Sequence, residues 1–262
     1  MMRDAIGQLH VPAATPPRIV SLVPSVTELL CELGLAGALV GRTGYCIHPA
    51  AQVKAIAKVG GTKTVNLKKI RTLAPTHVIV NIDENEKPTV DALAEFVPHI
   101  VVTHPLAPQD NLALYRLLGG LFGAAERAEI LCAQYLAADA RLRSLPQRQK
   151  AVLYCIWQDP WMTVSQDTYI ARMLAQIGWQ QVAMPDVSSR YPQFSWTPDL
   201  MAQIDLVLLS SEPYQFTETH ADALERQLGK PVRLVDGEML SWYGSRAIAG
   251  LGYLEALAQE EF

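Results

Sequence analysis

The segment from Asp236 to Arg246 combines acidic, aromatic and basic side chains that suit ligand binding. Asp236 and Glu238 are acids, Trp242 and Tyr243 are large aromatics, and Arg246 is a base. The segment follows an apolar run typical of a strand and precedes a helical pattern, so we expect a strand-to-helix loop. Such loops form the ligand-facing edge of parallel α/β sheets. The sequence therefore predicts a binding site at this edge.

Carboxylates follow other predicted strands as well. The full set is Asp83, Glu84, Glu86, Glu212, Asp236 and Glu238. Strands of parallel sheets end at one edge, so these acids would form an acidic rim there. Such a rim favours a cationic or metal-bearing ligand and disfavours free phosphate or citrate. Pairing of Arg42 and Arg246 with some of the acids is the alternative interpretation.

Cys46 and His48 are the only cysteine and histidine that lie close together in the sequence. With Glu84 or Glu86 they would offer soft and hard ligands to zinc or iron. The alternative is an ordered structural loop, which Pro49 favours. The sequence contains no G-x-S-x-G or H-E-x-x-H signature, so it predicts no catalytic residues.

Large aromatic side chains are concentrated in predicted loops of the second half. They are Trp157, Trp161, Trp196, Trp242 and Tyr243. Flat ligands such as corrins or porphyrins are held mainly by apolar and aromatic contacts. Packing of some of these rings against one another is the alternative.

The start of the first predicted helix carries the pattern Ser25-Val26-Thr27-Glu28. It predicts a capping box, with Ser25 capping the helix and Glu28 bonding back to its amide. The amides at this helix start would also suit an anionic group of a ligand.

The composition excludes some classes of function. The net charge is −4 without a block of like charges, which argues against nucleic-acid binding. The first apolar run, 19–23, is far too short to span a membrane. Residues 1–17 are polar and rich in proline and alanine, without the apolar core of a secretory signal. We therefore expect a cytoplasmic protein, with a periplasmic location as the alternative if a leader has been removed.

Short apolar runs alternate with helical patterns along the chain, which predicts an α/β fold with parallel sheets. Two Rossmann-like lobes would be joined by one long backbone helix, beginning near Ala124 and ending near Ser144. We expect a flexible segment at 1–17, a first lobe at 18–108, a linker at 109–145 and a second lobe at 146–262. Cys31, Cys132 and Cys155 fall in helical or strand patterns and are expected to be core thiols.

Several motifs then resemble one family. The motifs, in chain order, are Arg18-Ile19-Val20-Ser21-Leu22-Val23-Pro24-Ser25, Val59-Gly60-Gly61-Thr62, Asn66-Leu67-Lys68-Lys69-Ile70 and Leu73-Ala74-Pro75. Together with the linker helix and the second lobe, they resemble the helical-backbone metal receptor superfamily, the class III periplasmic substrate-binding protein fold. Four further motifs resemble a cobalamin-binding-like branch: Cys46-Ile47-His48-Pro49, Glu84-Asn85-Glu86-Lys87, Ser210-Ser211-Glu212-Pro213 and Asp236-Gly237-Glu238.

The resemblance implies a two-lobed, non-catalytic binding protein for a metal chelate held in the cleft between the lobes. It adds Tyr45, Gly61, Thr62 and Ser211 to the expected ligand-binding residues. No covalent cofactor is expected. The ligand would be cobalamin or another corrinoid, with haem and ferric siderophores as related choices.

The family's transport members dock onto an ABC permease through one glutamate on each lobe. Lys68 and Thr197 stand at those positions here, so we expect no docking of the usual kind. Two alternatives stay open. One is a metal-dependent enzyme that uses Cys46, His48 and facing glutamates, and the other is a periplasmic transport receptor for cobalamin or a ferric siderophore.

Overall fold

The structure, a computed structural model, describes residues 1–14, 16–185 and 188–260. The chain divides into two compact units. Unit 1 consists of Met1–Pro105, Gln109–Gln134 and Tyr243–Arg246. Unit 2 consists of Leu106–Pro108, Tyr135–Trp242 and Ala247–Phe262.

Unit 1 is built on a five-stranded parallel sheet of order β5-β4-β3-β6-β7. The strands of the unit are β1 (Met2–Arg3), β2 (Leu9–His10), β3 (Ile19–Ser21), β4 (Leu39–Arg42), β5 (Ala57–Lys58), β6 (His77–Asn81) and β7 (His99–Thr103). Its helices are α1 (Pro24–Glu32), α2 (Ala50–Val53), α3 (Leu67–Leu73), α4 (Lys87–Ala94) and α5 (Asp110–Leu121), with a 3-10 turn at Ala36–Ala38.

The central strands of unit 1 are apolar because they are covered on both faces. All five residues of β6 and all three of β3 are buried. Val20, Val78 and Val80 pack with Ile70 of α3 and Leu93 of α4. Continuous apolar strands of this kind are typical of parallel sheets, and the carboxyl ends of β3, β4 and β6 therefore lead into the loops that carry polar side chains.

The N-terminal segment, for which the sequence predicts a flexible chain, instead begins with a hairpin of β1 and β2. Asp4 is buried, and its carboxylate accepts hydrogen bonds from the amides of Ile6, Gln8 and Val102. His10 Nε2 lies 3.1 Å from Asp4 Oδ2. A buried carboxylate needs such partners, and the Val102 contact attaches the hairpin to the sheet.

The long helix α6 runs over Ala125–Arg143, within about one residue of its predicted bounds. Its residues up to Gln134 belong to unit 1 and those from Tyr135 onward to unit 2. Buried Ala128, Leu131 and Cys132 precede that point, and buried Ala138 and Leu142 follow it.

Unit 2 contains the second sheet, with parallel strands in the order β10-β8-β11-β12 and β9 antiparallel to β8. Its strands are β8 (Lys150–Trp157), β9 (Met162–Thr163), β10 (Trp179–Gln181), β11 (Leu206–Ser210) and β12 (Val232–Val235). Its helices are α7 (Tyr169–Leu174), α8 (Pro198–Ala202), α9 (Glu218–Leu228), α10 (Gly237–Ser241) and α11 (Arg246–Gln259), with a 3-10 turn at Ala175–Ile177.

The predicted fold class is confirmed, since each unit is an α/β structure around a parallel sheet. Cys31, Cys132 and Cys155 are buried free thiols, as predicted. The sequence patterns missed α9 and β10. Helix α9 is amphipathic but largely polar, with only Ala221 and Leu224 buried, so few apolar residues mark it in the sequence.

The predicted capping box at Ser25 is wrong. Helix α1 begins at Pro24 and its N-cap is Val23, which has no capping side chain. Proline suits the first turn because its missing amide hydrogen has no helical partner there. Ser25 therefore lies inside the helix, and Glu28 is too far along it to reach the capping amide.

In the part of the chain that the structure describes, no helix combines the length and the apolar character that crossing a membrane requires.

Candidate functional site

Glu212 lies at the centre of the polar loops at the carboxyl end of the unit 2 sheet. It follows β11, and its Oε1 accepts a hydrogen bond of 2.8 Å from Trp242 Nε1. The same oxygen accepts a second hydrogen bond, of 3.1 Å, from Ser241 Oγ. Two donors on one oxygen fix the orientation of the carboxylate, so unit 2 presents it in a defined position.

The environment of Glu212 disfavours its charged form. Burial raises the pKa of its carboxyl group, and the neighbouring charges of Glu238 and Asp236 raise the pKa further. The hydrogen bonds from Trp242 and Ser241 oppose this shift. A carboxylate among other carboxylates repels anionic groups and favours donors or cations.

Buried hydroxyl groups support the loop beneath Glu212. Tyr154 Oη donates to Ser210 Oγ at 2.8 Å, and Ser210 Oγ donates to the Glu212 carbonyl. Burial raises the pKa of the Tyr154 hydroxyl, so the hydroxyl stays a donor. Tyr154 and Ser210 therefore support the Glu212 loop from below, and neither was among the predicted site residues.

Gly237, the first residue of α10, lies against this loop without room for a side chain. An added Cβ would lie 2.5 Å from Ser210 Oγ and 2.9 Å from the Glu212 amide nitrogen. Its own amide donates to Ser211 Oγ at 2.9 Å. The loop after β11 and the start of α10 therefore hold each other in place.

Asp236 and Ser211, both predicted to bind ligand, also have structural roles. Asp236 is the N-cap of α10, and its Oδ1 accepts from the Met239 amide at 3.2 Å. The Asp236 amide donates to Tyr253 Oη. Glu238 is partly exposed and contributes charge near Glu212.

The predicted aromatic residues of unit 2 fall into two groups. Trp157 is 40% exposed and meets Tyr214 edge-on, with ring centroids 5.4 Å apart. Trp161 instead stacks on Phe216 at 5.9 Å and packs against the core, with Trp196 edge-on to it. For Trp161 the packing interpretation holds, whereas Trp157 offers an open aromatic surface.

In unit 1, Tyr243 and Glu84 meet although they are distant in the sequence. Tyr243 is 8% exposed, and its hydroxyl donates to Glu84 Oε1. Burial and the charge of Glu84 raise the pKa of the Tyr243 hydroxyl. The segment is fixed by Gly244, whose amide donates to Asn111 Oδ1 and whose carbonyl accepts from Tyr115 Oη.

Gly244 permits the turn that brings Tyr243 to Glu84. Its φ is +77°, a region that favours glycine, and an added Cβ would lie 3.1 Å from the Ser25 carbonyl. Ser25 itself is buried at the start of α1. The structure thus groups Ser25, Glu84 and Tyr243 within unit 1.

Asn85 joins two predicted ligand-binding loops of unit 1, although it is not among the predicted ligand-binding residues. It is buried, its Nδ2 donates to the Thr62 carbonyl at 2.9 Å, and its Oδ1 accepts from the Asn81 amide. Gly61 lies in the same loop, where its amide donates to the Thr64 carbonyl. A buried amide between two acids is a weak signal in sequence.

Cys46 points into the interior of unit 1. Its Sγ lies 3.1 Å from both Thr27 Oγ1 and Thr43 Oγ1. Burial raises the pKa of the thiol, against the opposing effect of these hydroxyls and Arg42. A thiol held in this way is a core group rather than a metal ligand.

The metal site predicted from Cys46 and His48 has no geometric support. Within the described ranges, no three histidine, cysteine, aspartate or glutamate side chains are grouped so as to hold a metal ion. His48 is partly buried. Tyr45 beside it is 65% exposed, and Glu86 is exposed at the N-cap of α4.

Arg246 forms an ion pair instead of standing open to a ligand. Its Nη2 and Nε donate to the two oxygens of Glu28 at 2.7 and 2.9 Å. Such a bidentate pair fixes both side chains. Arg42 is buried and donates to the carbonyls of Val53 and Thr43, so neither arginine neutralises the strand-end acids Glu212 or Asp236.

A cavity of about 220 Å³ also lies within unit 1. It is lined by Arg3, Asp4, Val102, His104, Asp110 and Leu114, among others. Sites for drug-sized ligands commonly enclose about 300–1,000 Å³, so this cavity is too small for a macrocyclic chelate.

The chain is similar to proteins of known function over most of its length. The family model described as "Periplasmic binding protein" matches residues 19–228. A vitamin B12-binding protein of Pectobacterium carotovorum is 24% identical over 239 residues, covering 90% of this chain and 86% of that protein.

Solved structures share the fold. The periplasmic vitamin B12 binding protein of Vibrio cholerae matches with a TM-score of 0.75 and 18% identity, covering 94% of this chain and 99% of that one. The periplasmic haem binding protein of the same organism matches with a TM-score of 0.77 and 20% identity, covering 94% and 100%. At these identities the likeness shows the fold alone.

The matches correct one prediction and confirm another. The predicted cytoplasmic location is wrong, because the relatives are periplasmic binding proteins and point to the periplasm or the cell exterior. The prediction relied on the lack of an apolar run at the start of the sequence, which is not evidence of location. The non-catalytic role is confirmed by the relatives, which are substrate-binding proteins. With four-fifths of its length matched, the chain belongs to the periplasmic binding protein family.

Proposed function

We propose that the protein binds a corrinoid such as cobalamin. The observation that carries this proposal is the Glu212 carboxylate, oriented by Trp242 and Ser241 at the carboxyl end of the unit 2 sheet. An oriented carboxylate is a good acceptor for the amide groups that surround a corrin ring.

The charge around Glu212 separates corrinoids from other metal chelates. Asp236 and Glu238 lie close enough to raise its pKa. Haem carries two propionates, which such a surface would repel, and many ferric siderophore complexes are anionic. The corrin ring of cobalamin bears amides in place of free carboxylates, so the ring meets no such repulsion if the phosphodiester of the nucleotide loop points away from Glu212.

An exposed aromatic side chain at a strand end of unit 2 offers an apolar contact beside the polar loops. Trp157, the last residue of β8, is 40% exposed. Flat macrocycles bind mainly through such surfaces. The names of the curated relatives agree with this ligand class, whereas the structural neighbours include haem-binding proteins of the same fold.

Calorimetric titration with cyanocobalamin and, separately, with haemin tests the proposal. We expect a dissociation constant of micromolar or tighter for cyanocobalamin, about −8 kcal/mol or better, and at least about tenfold weaker binding of haemin. Glu212→Ala should weaken cyanocobalamin binding, whereas Glu218→Ala, an exposed acid in the first turn of α9, should not. Tighter binding of haemin, or no binding of cyanocobalamin, would contradict the proposal.

Docking to a permease, if the protein delivers its ligand, would not use a glutamate on each lobe. Lys68 is exposed, and Thr197 uses its hydroxyl to cap α8 by accepting from the Leu200 amide. Neither side chain can form the ion pair that a glutamate would make with an arginine. A pull-down with a purified ABC permease for corrinoids would test this. Lys68→Glu should strengthen the interaction only if the permease presents arginines at that point.

A further inference from the structure

Positive charge is concentrated in one stretch of the chain. Residues 33–82 contain seven lysines and arginines and no aspartate or glutamate. The rest of the sequence carries 15 basic and 26 acidic residues. The protein is acidic as a whole, so the basic stretch is a local departure.

Six of these seven side chains are exposed, and we call them together the basic edge. The basic edge consists of Lys54, Lys58, Lys63, Lys68, Lys69 and Arg71. None of these six side chains forms an ion pair with a carboxylate of the described residues. The seventh, Arg42, is buried and bonded to backbone carbonyls, so it is not part of the surface.

The basic edge begins at the outer edge of the unit 1 sheet, with Lys54, Lys58 and Lys63, and continues onto helix α3, which contacts the neighbouring strand β4. Strand β5, with Lys58, is the outer strand of the sheet, and Lys54 is the C-cap of the preceding helix α2. The amide of Asn66 donates to the Val59 carbonyl, which attaches the loop that carries Lys63 to the end of this strand.

Helix α3 directs its charges away from the core. Leu67, Ile70 and Leu73 pack into the core of unit 1, so Lys68 and Lys69 lie on the outer side of the helix. Arg71 lies over the Phe96 ring, 4.1 Å from its centroid, a cation–π contact that holds its guanidinium group at the surface.

Six like charges in eighteen residues repel one another and destabilise the compact state. Lysines on an outer strand can protect it from pairing with other chains, but only Lys58 lies on β5. Protection of the strand therefore does not explain the other five.

We propose that the basic edge binds the acidic face of a partner protein. A membrane surface fits less well, because basic membrane-binding surfaces combine their charges with exposed apolar anchors. Helices α2 and α3 and strand β5 carry no exposed large hydrophobic side chain. The proposal is independent of which ligand the protein carries.

Fluorescence anisotropy with labelled poly-L-glutamate, an acidic polypeptide, tests this surface. We expect the wild-type protein to bind at low salt, and binding to weaken as salt screens exposed charges beyond about 10 Å at about 0.1 M. The triple variant Lys63→Glu, Lys68→Glu and Lys69→Glu should bind at least about tenfold more weakly. The control variant Lys87→Glu, Arg148→Glu and Arg226→Glu makes the same change in net charge elsewhere, and should bind within about twofold of wild type.

A parallel titration with phosphatidylglycerol vesicles distinguishes a protein partner from a membrane surface. No binding of poly-L-glutamate by the wild-type protein, or equal loss in both triple variants, would overturn the proposal. Tighter binding to the vesicles than to poly-L-glutamate would overturn it in favour of a lipid surface. Cyanocobalamin titration of the triple variants keeps this result separate from the ligand proposal, which rests on Glu212 and its neighbours in unit 2 and on none of the substituted residues.

Discussion

The surroundings of Glu212 disfavour its charged form, so the free energy of unfolding should depend on pH through this carboxyl group. Its pKa is raised above the ordinary value of 4.5 by burial and by Glu238 and Asp236. The folded state therefore holds the proton more tightly than the unfolded state. The contribution of Glu212 to the free energy of unfolding is therefore fully present below pH 4.5. It is lost as the pH rises through the raised pKa of the folded state.

We expect Glu212→Gln to remove this loss. The glutamine oxygen can still accept from Trp242 and Ser241, so only the charge is lost. Urea unfolding followed by tryptophan fluorescence should show the wild type losing stability from pH 4.5 to pH 7 relative to the variant. Glu218→Gln, at an exposed position, should follow the wild type. The same pH dependence in all three proteins would contradict this account.

The variant Tyr243→Phe tests whether the contact between Tyr243 and Glu84 stabilises unit 1. Tyr243→Phe removes a buried donor to Glu84, and hydrogen bonds to charged groups contribute about 1.5–3 kcal/mol. We expect a loss of that size in urea unfolding followed by circular dichroism. Tyr45→Phe removes the same hydroxyl from a side chain that is 65% exposed, and should change stability by less than about 0.5 kcal/mol. Equal effects of the two changes would show that the Glu84 contact is unimportant.

At the residue scale, sequence could name chemical types but not their directions. The Asp236–Arg246 segment was singled out correctly as rich in polar and aromatic groups, yet Arg246 turned out to pair with Glu28. Cys46 was predicted to bind a ligand or a metal ion, but its thiol is buried against two threonine hydroxyls. Which way a side chain points depends on partners more than a hundred residues away, such as Glu28 for Arg246, and no local pattern encodes them.

Among the elements, the start of α10 determines how the Glu212 loop is held. Gly237→Ala would place a methyl group within 3 Å of Ser210 Oγ and the Glu212 amide nitrogen. Overpacking of this kind costs about 1–3 kcal/mol, and displacing Glu212 should also weaken cyanocobalamin binding. Thermal unfolding and calorimetry measure the two effects.

Gly252 in α11 provides the matched control. An added Cβ there meets nothing within 4 Å, so Gly252→Ala should stabilise the helix by about 1 kcal/mol and leave binding unchanged. If Gly237→Ala were as well tolerated, the close packing at the start of α10 would not matter to the site.

Elements with a strong apolar signal were predictable and the others were not. Apolar runs predict strands near 99–103, 206–210 and 232–235, and β7, β11 and β12 lie there, because buried parallel strands are continuous apolar runs. A helical pattern near 67–73 likewise predicts α3. Helix α9 was missed because its surface is mostly polar and its capping box uses His220 in place of glutamate or glutamine. The few apolar residues of α9 are buried through its contact with β12, and a local sequence pattern does not show that contact.

For the whole molecule, the two units should respond to acid in opposite directions. In unit 1, His77 is buried, stacked on His99 at 4.7 Å and edge-on to Phe122 at 5.0 Å. Burial, with the nearby His99 and His10, lowers its pKa from 6.5 to about 4. The unfolded chain takes up the proton more readily, so unit 1 loses stability as the pH falls from about 6.5 towards 4. Unit 2, by contrast, gains stability over the lower part of this range through Glu212.

The distribution of tryptophan makes this difference measurable. All five tryptophans lie in unit 2, namely Trp157, Trp161, Trp179, Trp196 and Trp242. Tryptophan fluorescence therefore reports unit 2, whereas circular dichroism reports both units. In urea at about pH 4.5 we expect circular dichroism to show an earlier transition than fluorescence, with the gap narrowing at pH 7. His77→Gln should narrow the gap at low pH, because glutamine takes up no proton. Transitions that coincide at both pH values would mean that the units unfold together, and that protonation of His77 does not act on unit 1 alone.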